Sequence, residues 1–158
     1  MQQLEVHFTR DLSPESRVWV YQSDRRLEEN EQEQLSQEID AFVQNWAAHG
    51  NGLFADFTFV SPYNLIVAVD DSKVPPSGCS IDAFVRFLTG LGAKHSIDFF
   101  VRMKVVAFDG NDWSQLSFED VSEKAANIRI IDPTIDRLNQ LVKSGLTEPQ
   151  HSGLKTLF

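Results

Sequence analysis

Three observations predict an α+β fold for this chain of 158 residues. Apolar, β-branched and aromatic residues gather in four short segments, two of them with one face picked out at period two. Apolar residues recur at helical spacing in two longer ones. The six segments follow in the order strand, helix, strand, strand, helix, strand. The first strand, Arg17-Val-Trp-Val-Tyr-Gln22, is rich in β-branched and aromatic residues. Pro14 marks a turn before it. Ahead of that turn Leu4, Val6 and Phe8 alternate with Glu5 and His7, which reads equally as a short strand or as a loose arm. A helix is predicted from residue 27 to about 48, where Leu35, Ile39, Phe42, Val43 and Trp46 make one apolar stripe. Glu28, Glu29, Glu31 and Glu33 crowd its first turns, where the helix dipole favours acids, so this run reads as a solvated face. His49-Gly50-Asn51-Gly52 reads as a glycine stop.

Residues 53–60 and 63–70 alternate as strands around the short Ser61-Pro62 link, which suits a hairpin. Pro75, Pro76 and Gly78 make residues 71–79 a loop. A second helix is predicted over 80–93 through Ile81, Phe84, Val85, Leu88 and Leu91, and a fourth strand over 101–108. This order is the split βαβ pattern of a ferredoxin-like (βαββαβ) antiparallel sheet with both helices on one face. A C-terminal αβα extension follows: a helix over 118–127, a strand over 128–131, a helix over 134–144, and an irregular tail after Gly145. The other sheet face offers Phe54, Val60, Ile66, Val106 and Phe108, too apolar to stay wet. The C-terminal region or a second subunit is expected to cover it.

The length suits a single domain, 1–158, with a core of about 17–110 and an extension of about 111–158. With 42% hydrophobic and 23% charged residues the chain is neither disordered nor fibrous. Its 23 acidic residues outnumber 14 basic ones, giving a net charge of −9. That field repels a phosphate backbone, so no nucleic-acid partner is expected. No run approaches the roughly 18 apolar residues of a membrane span, and the start lacks the basic and apolar regions of a secretory signal. The single cysteine, Cys79, excludes an intramolecular disulfide. Together these features predict a cytoplasmic protein with no membrane contact.

In the expected topology His49, Asp70, Asp71, Ser77, Cys79 and Ser80 share one rim of the sheet, with Arg17, Asp109 and Asp112 as neighbours. Ser23, Asp24, Arg25, Arg26 and His95 fall on the opposite rim. Cys79 stands where the second helix begins, and helix amides there stabilise a thiolate. A cysteine paired with a histidine and oriented by a carboxylate is an activated nucleophile. The candidate catalytic set is therefore Cys79 as nucleophile, His49 as base and Asp70 or Asp82 as orienter. The plainer reading of the same residues has Ser80 as the helix N-cap, Asp82 offsetting the dipole, Cys79 half-buried and His49 capping the first helix. Ser77, Gly78 and Ser80, with Arg17, are candidate ligands for a small anion.

Asp70, Asp71, Asp109 and Asp112 carry the oxygens that a divalent cation takes, but acidic loop residues are common in a chain of this charge. No zinc-type spacing occurs, and no metal is expected. There is no Gly-x-x-x-x-Gly-Lys-Ser/Thr phosphate loop and no Gly-x-Gly-x-x-Gly fingerprint, and no cofactor is expected. Gly90-Leu-Gly92 reads as a helix end.

With Trp19-Val-Tyr-Gln-Ser-Asp-Arg25, Ala48-His49-Gly50 and Ser77-Gly-Cys-Ser-Ile-Asp82 taken together, the chain resembles a family of small bacterial proteins from Bacteroidetes-type genomes, often labelled "ABC transporter ATPase". The resemblance runs over most of residues 17–110, and the serine-glycine-cysteine segment is its most specific part. It implies a bacterial, cytoplasmic protein and transfers no catalytic residue. The ATPase label conflicts with the missing phosphate loop.

Three functional readings stand on these residues. The first is a non-catalytic ligand- or protein-binding protein that uses the rim around His49 and residues 77–80, with a small anion or a protein as partner. The second is a thiol-dependent enzyme or redox-sensitive protein built on Cys79 and His49. The third is a homodimer joined through the apolar sheet face or the C-terminal region.

Overall fold

In the computed structural model, which describes residues 3–158, two antiparallel sheets face each other and helices cover their outer sides. Along the chain, β1 (Arg17–Gln22) leads to α1 (Glu29–Gln44) and to a small hairpin of β2 (Ala47–Ala48) and β3 (Asn51–Gly52). β4 (Ala55–Phe59), β5 (Asn64–Val69) and α2 (Gly78–His95) follow. The second half holds β6 (Lys104–Phe108), β7 (Trp113–Ser117), α3 (Phe118–Lys124), β8 (Arg129–Ile131), α4 (Leu138–Ser144) and β9 (Leu146–Thr147). The first sheet has the order β1-β5-β4 and the second β7-β6-β8-β9. No helix among the described residues is long and apolar enough to cross a membrane.

The period-two pattern sorts side chains into layers. Leu65, Val67 and Val69 of β5 face α1 and α2, where they meet Leu35, Ile39, Val43, Phe84 and Leu88. Ile66 and Ala68, on the opposite side of β5, face Val106, Ile131, Leu141 and Leu146 of the second half. Val105, Ala107 and Ile130 point outward again, onto Val121 of α3 and the half-buried Leu154 and Phe158. β5 is therefore buried on both faces along its whole length. The α1–α2 layer is sealed by aromatic rings, with Phe42 stacked on Phe87 at 4.5 Å and packed edge-on against Phe84.

The α+β class holds, and the run β1-α1-β4-β5-α2 keeps the first five elements of the ferredoxin-like order. The sixth element departs from it. β6 joins the second sheet and leaves the free edge of β1 to two short segments. Phe99 O accepts from the Gln22 amide and Val101 N donates to Gln22 O, while Asp136 O accepts from the Val18 amide. The bridge between Gln22 and Phe100 is parallel, so the chain leaving α2 runs on past β1 and does not fold back along it. Ser96 makes the reversal in a left-handed conformation, with the Ile97 amide donating to Gly92 O.

Element boundaries moved for identifiable reasons. α1 ends at Gln44, and His49 and Gly50, both at positive φ, form the tight turn between β2 and β3. α4 starts at Leu138 because Asp136 and Arg137 are spent on bridging β1. Of the apolar sheet face, Ile66 and Val106 lie in the core between the sheets, and Phe54, Val60 and Phe108 pack half-buried against it. The C-terminal region covers that face, as expected, helped by Leu4 and Leu12 of the N-terminal arm. The face thus gives no reason for a dimer. The arm is no loose tail: Asp56 Oδ2 accepts from the amides of Thr9 at 2.7 Å and Arg10 at 2.9 Å.

Candidate functional site

The rim predicted from the topology is assembled, though not as a catalytic set. The indole of Trp46, buried just after α1, donates from Nε1 to Ser80 O at 2.8 Å and staples the β2–β3 hairpin to the first turn of α2. Arg17 lies opposite Val69 at the same end of the sheet, with its guanidinium 4.8 Å from the centre of the Trp19 ring. Asp70 and Asp71 come next along the chain from β5.

The N-cap of α2 is Ser77, three residues before the expected Ser80. Ser77 Oγ accepts from the Ser80 amide at 3.1 Å, and Ser80 Oγ accepts from the Ser77 amide at 2.8 Å while donating to Ser77 O. This reciprocal capping satisfies two orphan helix donors and fully occupies the Ser80 hydroxyl, which is buried. Ser80 is therefore committed to the helix and is not presented to a ligand through its side chain. Gly78 and Cys79 occupy the next two positions and are exposed. Cys79 is thus more open than the half-buried position expected for it.

His49 sits at the tip of its hairpin turn, exposed, and caps no helix. Asp82 is exposed on the second turn of α2. Asp70 is buried and fully engaged: Oδ1 accepts from the Ser72 hydroxyl at 2.6 Å and its amide at 3.2 Å, and Oδ2 accepts from the Ser13 amide at 3.2 Å. The Ser72 hydroxyl, above all, holds the Asp70 carboxyl below the usual carboxylate range. Asp70 organises the loop before α2 and anchors the N-terminal arm. Among the described residues no hydrogen bond or ion pair joins Cys79 to His49, Asp70 or Asp82.

The four candidate cation ligands split into two pairs, Asp70 with Asp71 and Asp109 with Asp112, at different places in the fold. Asp71 pairs with Arg137 at 3.0 Å. Asp109 Oδ1 accepts from the amides of Asn111 and Asp112 in the β6–β7 turn, which keeps its carboxyl low. Asp112 accepts from the Trp113 amide and from Arg26. Arg26 belongs to the end of the sheet opposite Asp70, so Asp112 lies on the other rim from the one predicted. The cause is again β6, which never returns along β1. No group of three or more His, Cys, Asp or Glu side chains among the described residues is gathered to hold a metal ion. At this opposite end three more basic side chains are paired. Arg25 meets Glu31 at 2.9 Å, and Glu38 meets both Lys94 and His95, contacts that lower the carboxyls of Glu31 and Glu38.

Beside Asp70 the rim opens into a cleft of about 470 Å³ lined by Ser13, Glu15, Asp71, Ser72, Arg137, Asn139 and Gln140. Its walls come from the N-terminal arm, the β5–α2 loop and the start of α4. Arg137 crosses it, donating from Nη1 to Asp71 Oδ2 at 3.0 Å and to Glu15 O at 3.2 Å. Asp71 was expected at this rim; Ser13, Arg137, Asn139 and Gln140 were not. Nothing local in the sequence marks them, because they meet Asp71 only once α4 bridges the edge of β1. No protein-family model matches the sequence, and comparison with curated proteins and with solved structures finds no match.

Proposed function

We propose that the chain is a non-catalytic binding protein whose ligand is small and polar and docks at the rim beside the β5–α2 loop. One observation carries this reading: every residue lining the cleft bears a polar side chain. Arg137, Asn139 and Gln140 offer donors, whereas Glu15 and Asp71 offer acceptors, which suits a ligand that carries both kinds of group. The volume lies within the range of small-molecule sites. The exposed N-terminus of α2, with Gly78 and Cys79, and His49 on its stapled hairpin extend the same rim. Two facts favour binding over thiol chemistry. Among the described residues no hydrogen bond joins Cys79 to His49, and Asp70, one of the two carboxylates expected to orient them, is spent on Ser13 and Ser72.

The test is an amide NMR titration with amino acids, simple sugars and inorganic phosphate at millimolar concentration. Saturable shifts at Ser72 and across residues 137–140, lost in Arg137→Gln with the rest of the spectrum unchanged, are the expected result. Absence of any saturable response at those positions overturns the reading. Rapid Cys79 alkylation at neutral pH, slowed by His49→Ala, overturns it in favour of the thiol enzyme.

A further inference from the structure

A second surface lies on the far side of the first sheet, where β4 forms its edge. The amide of Val60 donates to Asn64 O and that of Asp70 donates to Phe54 O, which fixes the hydrogen-bonding phase of the β4–β5 ladder. Phe54, Asp56, Thr58 and Val60 turn their backbone groups toward β5. Ala55, Phe57 and Phe59 therefore turn theirs away from it. The near half of this edge is closed: Ala55 is buried, and the Phe57 amide is capped by Asp56 Oδ1 at 2.8 Å. The far half is open. The Phe59 amide and the Phe57 carbonyl have no partner among the described residues, and the Thr58 hydroxyl reaches Phe59 O only at 3.4 Å.

This open half faces a groove along α1, lined by Glu29, Gln32, Glu33, Ser36, Gln37 and Phe59. It continues over Leu27, Pro62 and Trp113 at the start of the helix. Phe59 is the one apolar residue beside α1 and meets Pro62 and Trp113 toward the start of the helix, while the helix side is polar, and neither Glu29 nor Glu33 has an ion-pair partner among the described residues. Arg26, the cation at the end of the groove, is occupied by Asp112 and Trp113 O. A bare strand edge accepts an extended chain through its backbone, Phe59 offers an apolar contact beside it, and the uncompensated carboxylates select the charge of its side chains. The chain's net charge of −9 attracts such a partner over longer range.

We infer that the open end of β4 is a docking site for an extended, cationic segment of a partner protein. The segment adds as a strand beside Phe59 and directs alternate Lys or Arg side chains at Glu29 and Glu33. It is separate from the polar cleft at the Asp70 rim and does not depend on it.

The probe is a blocked seven-residue peptide alternating Lys and Val, titrated into the full chain and read by amide NMR. Saturable shifts confined to residues 57–61 and 29–37 are expected. Affinity falls about 5-fold in Glu29→Gln/Glu33→Gln, the loss expected from two exposed charge pairs. It falls further when the peptide's backbone amides are N-methylated at alternate positions, because a strand cannot then pair. The same peptide with Glu in place of Lys is expected not to bind. Three results overturn the inference: no saturable binding, shifts centred elsewhere, or equal affinity for the N-methylated peptide. The last would show charge adhesion without strand addition. Glu29 and Glu33 are exposed, so the double variant folds, and its unchanged spectrum away from the groove verifies this.

Discussion

Replacing Asp56 tests how the N-terminal arm is held to the first sheet. This residue is 7% exposed within β4. Its Oδ2 accepts from the Thr9 amide at 2.7 Å, the Thr9 hydroxyl at 3.0 Å and the Arg10 amide at 2.9 Å, while Oδ1 accepts from the Phe57 amide at 2.8 Å. Hydrogen bonds to a charged group are worth roughly 1.5–3 kcal/mol each when measured singly. Four of them do not sum, because Thr9 is exposed and water replaces the carboxylate at its amide. A net loss of about 2–4 kcal/mol is expected for Asp56→Ala. Release of the whole arm would also uncover Leu4 and Leu12, each contributing roughly 1.5–3 kcal/mol through burial, and would push the loss to the upper end or beyond. Asp56→Asn keeps one acceptor for the Thr9 and Arg10 amides but turns its NH₂ toward the Phe57 amide, so about half the loss is expected. Urea unfolding of the three proteins, with hydrogen exchange at Thr9, Arg10 and Ser13, measures both effects. A loss below about 0.5 kcal/mol for Asp56→Ala, with exchange at Thr9 and Arg10 unchanged, would refute the anchoring argument. It would leave the arm held by its leucines alone.

Two further perturbations probe the rim that holds Asp70. The Asp70 carboxyl is held below its ordinary value in the folded chain. Its stabilising contribution is present above the unfolded value near pH 4 and disappears as pH falls through the lower native value. Asp70→Asn should therefore lower the urea midpoint at pH 7, and the gap to wild type should narrow by pH 3; a gap that is constant with pH counts against the assignment. Trp46→Phe deletes the second donor to Ser80 O, which keeps its helix bond, and trims a buried ring, at a cost of about 1 kcal/mol for the hydrogen bond. Exchange at Ala48 and Asn51 should quicken with it, whereas an intact hairpin at unchanged stability would remove the staple from the account.

What could be read from the residues divides along the line between local and non-local causes. α1 and α2 follow from periodicity, because each buries one stripe and Leu35, Ile39, Phe84 and Leu88 declare it, while β1, β4 and β5 follow from short β-branched and aromatic runs bounded by turn residues. The β6–β7 hairpin had a local signal as well. Asp109-Gly110 stands between Phe108 and Trp113, and Gly110 takes the positive φ that the turn requires. Reading those aspartates as possible cation ligands passed over that turn. The destination of β6 had no such signal. The apolar run from Val105 to Phe108 suits a place beside β1 as well as one between β7 and β8, and two segments, 98–101 and 136–138, occupy the edge of β1 instead. That placement decides the rims. It sends Asp112 to Arg26, brings Arg137 to Asp71, and makes a polar cleft from an arm, a loop and a helix that no spacing rule connects. Cys79, His49 and Asp70 reached the expected end of the sheet, but the alternation that placed their backbones says nothing of how side chains spend their hydrogen bonds. Ser72, two residues along the chain, and Ser13, brought in by the N-terminal arm, claim the Asp70 carboxylate, one of the two that topology alone had offered to a catalytic set.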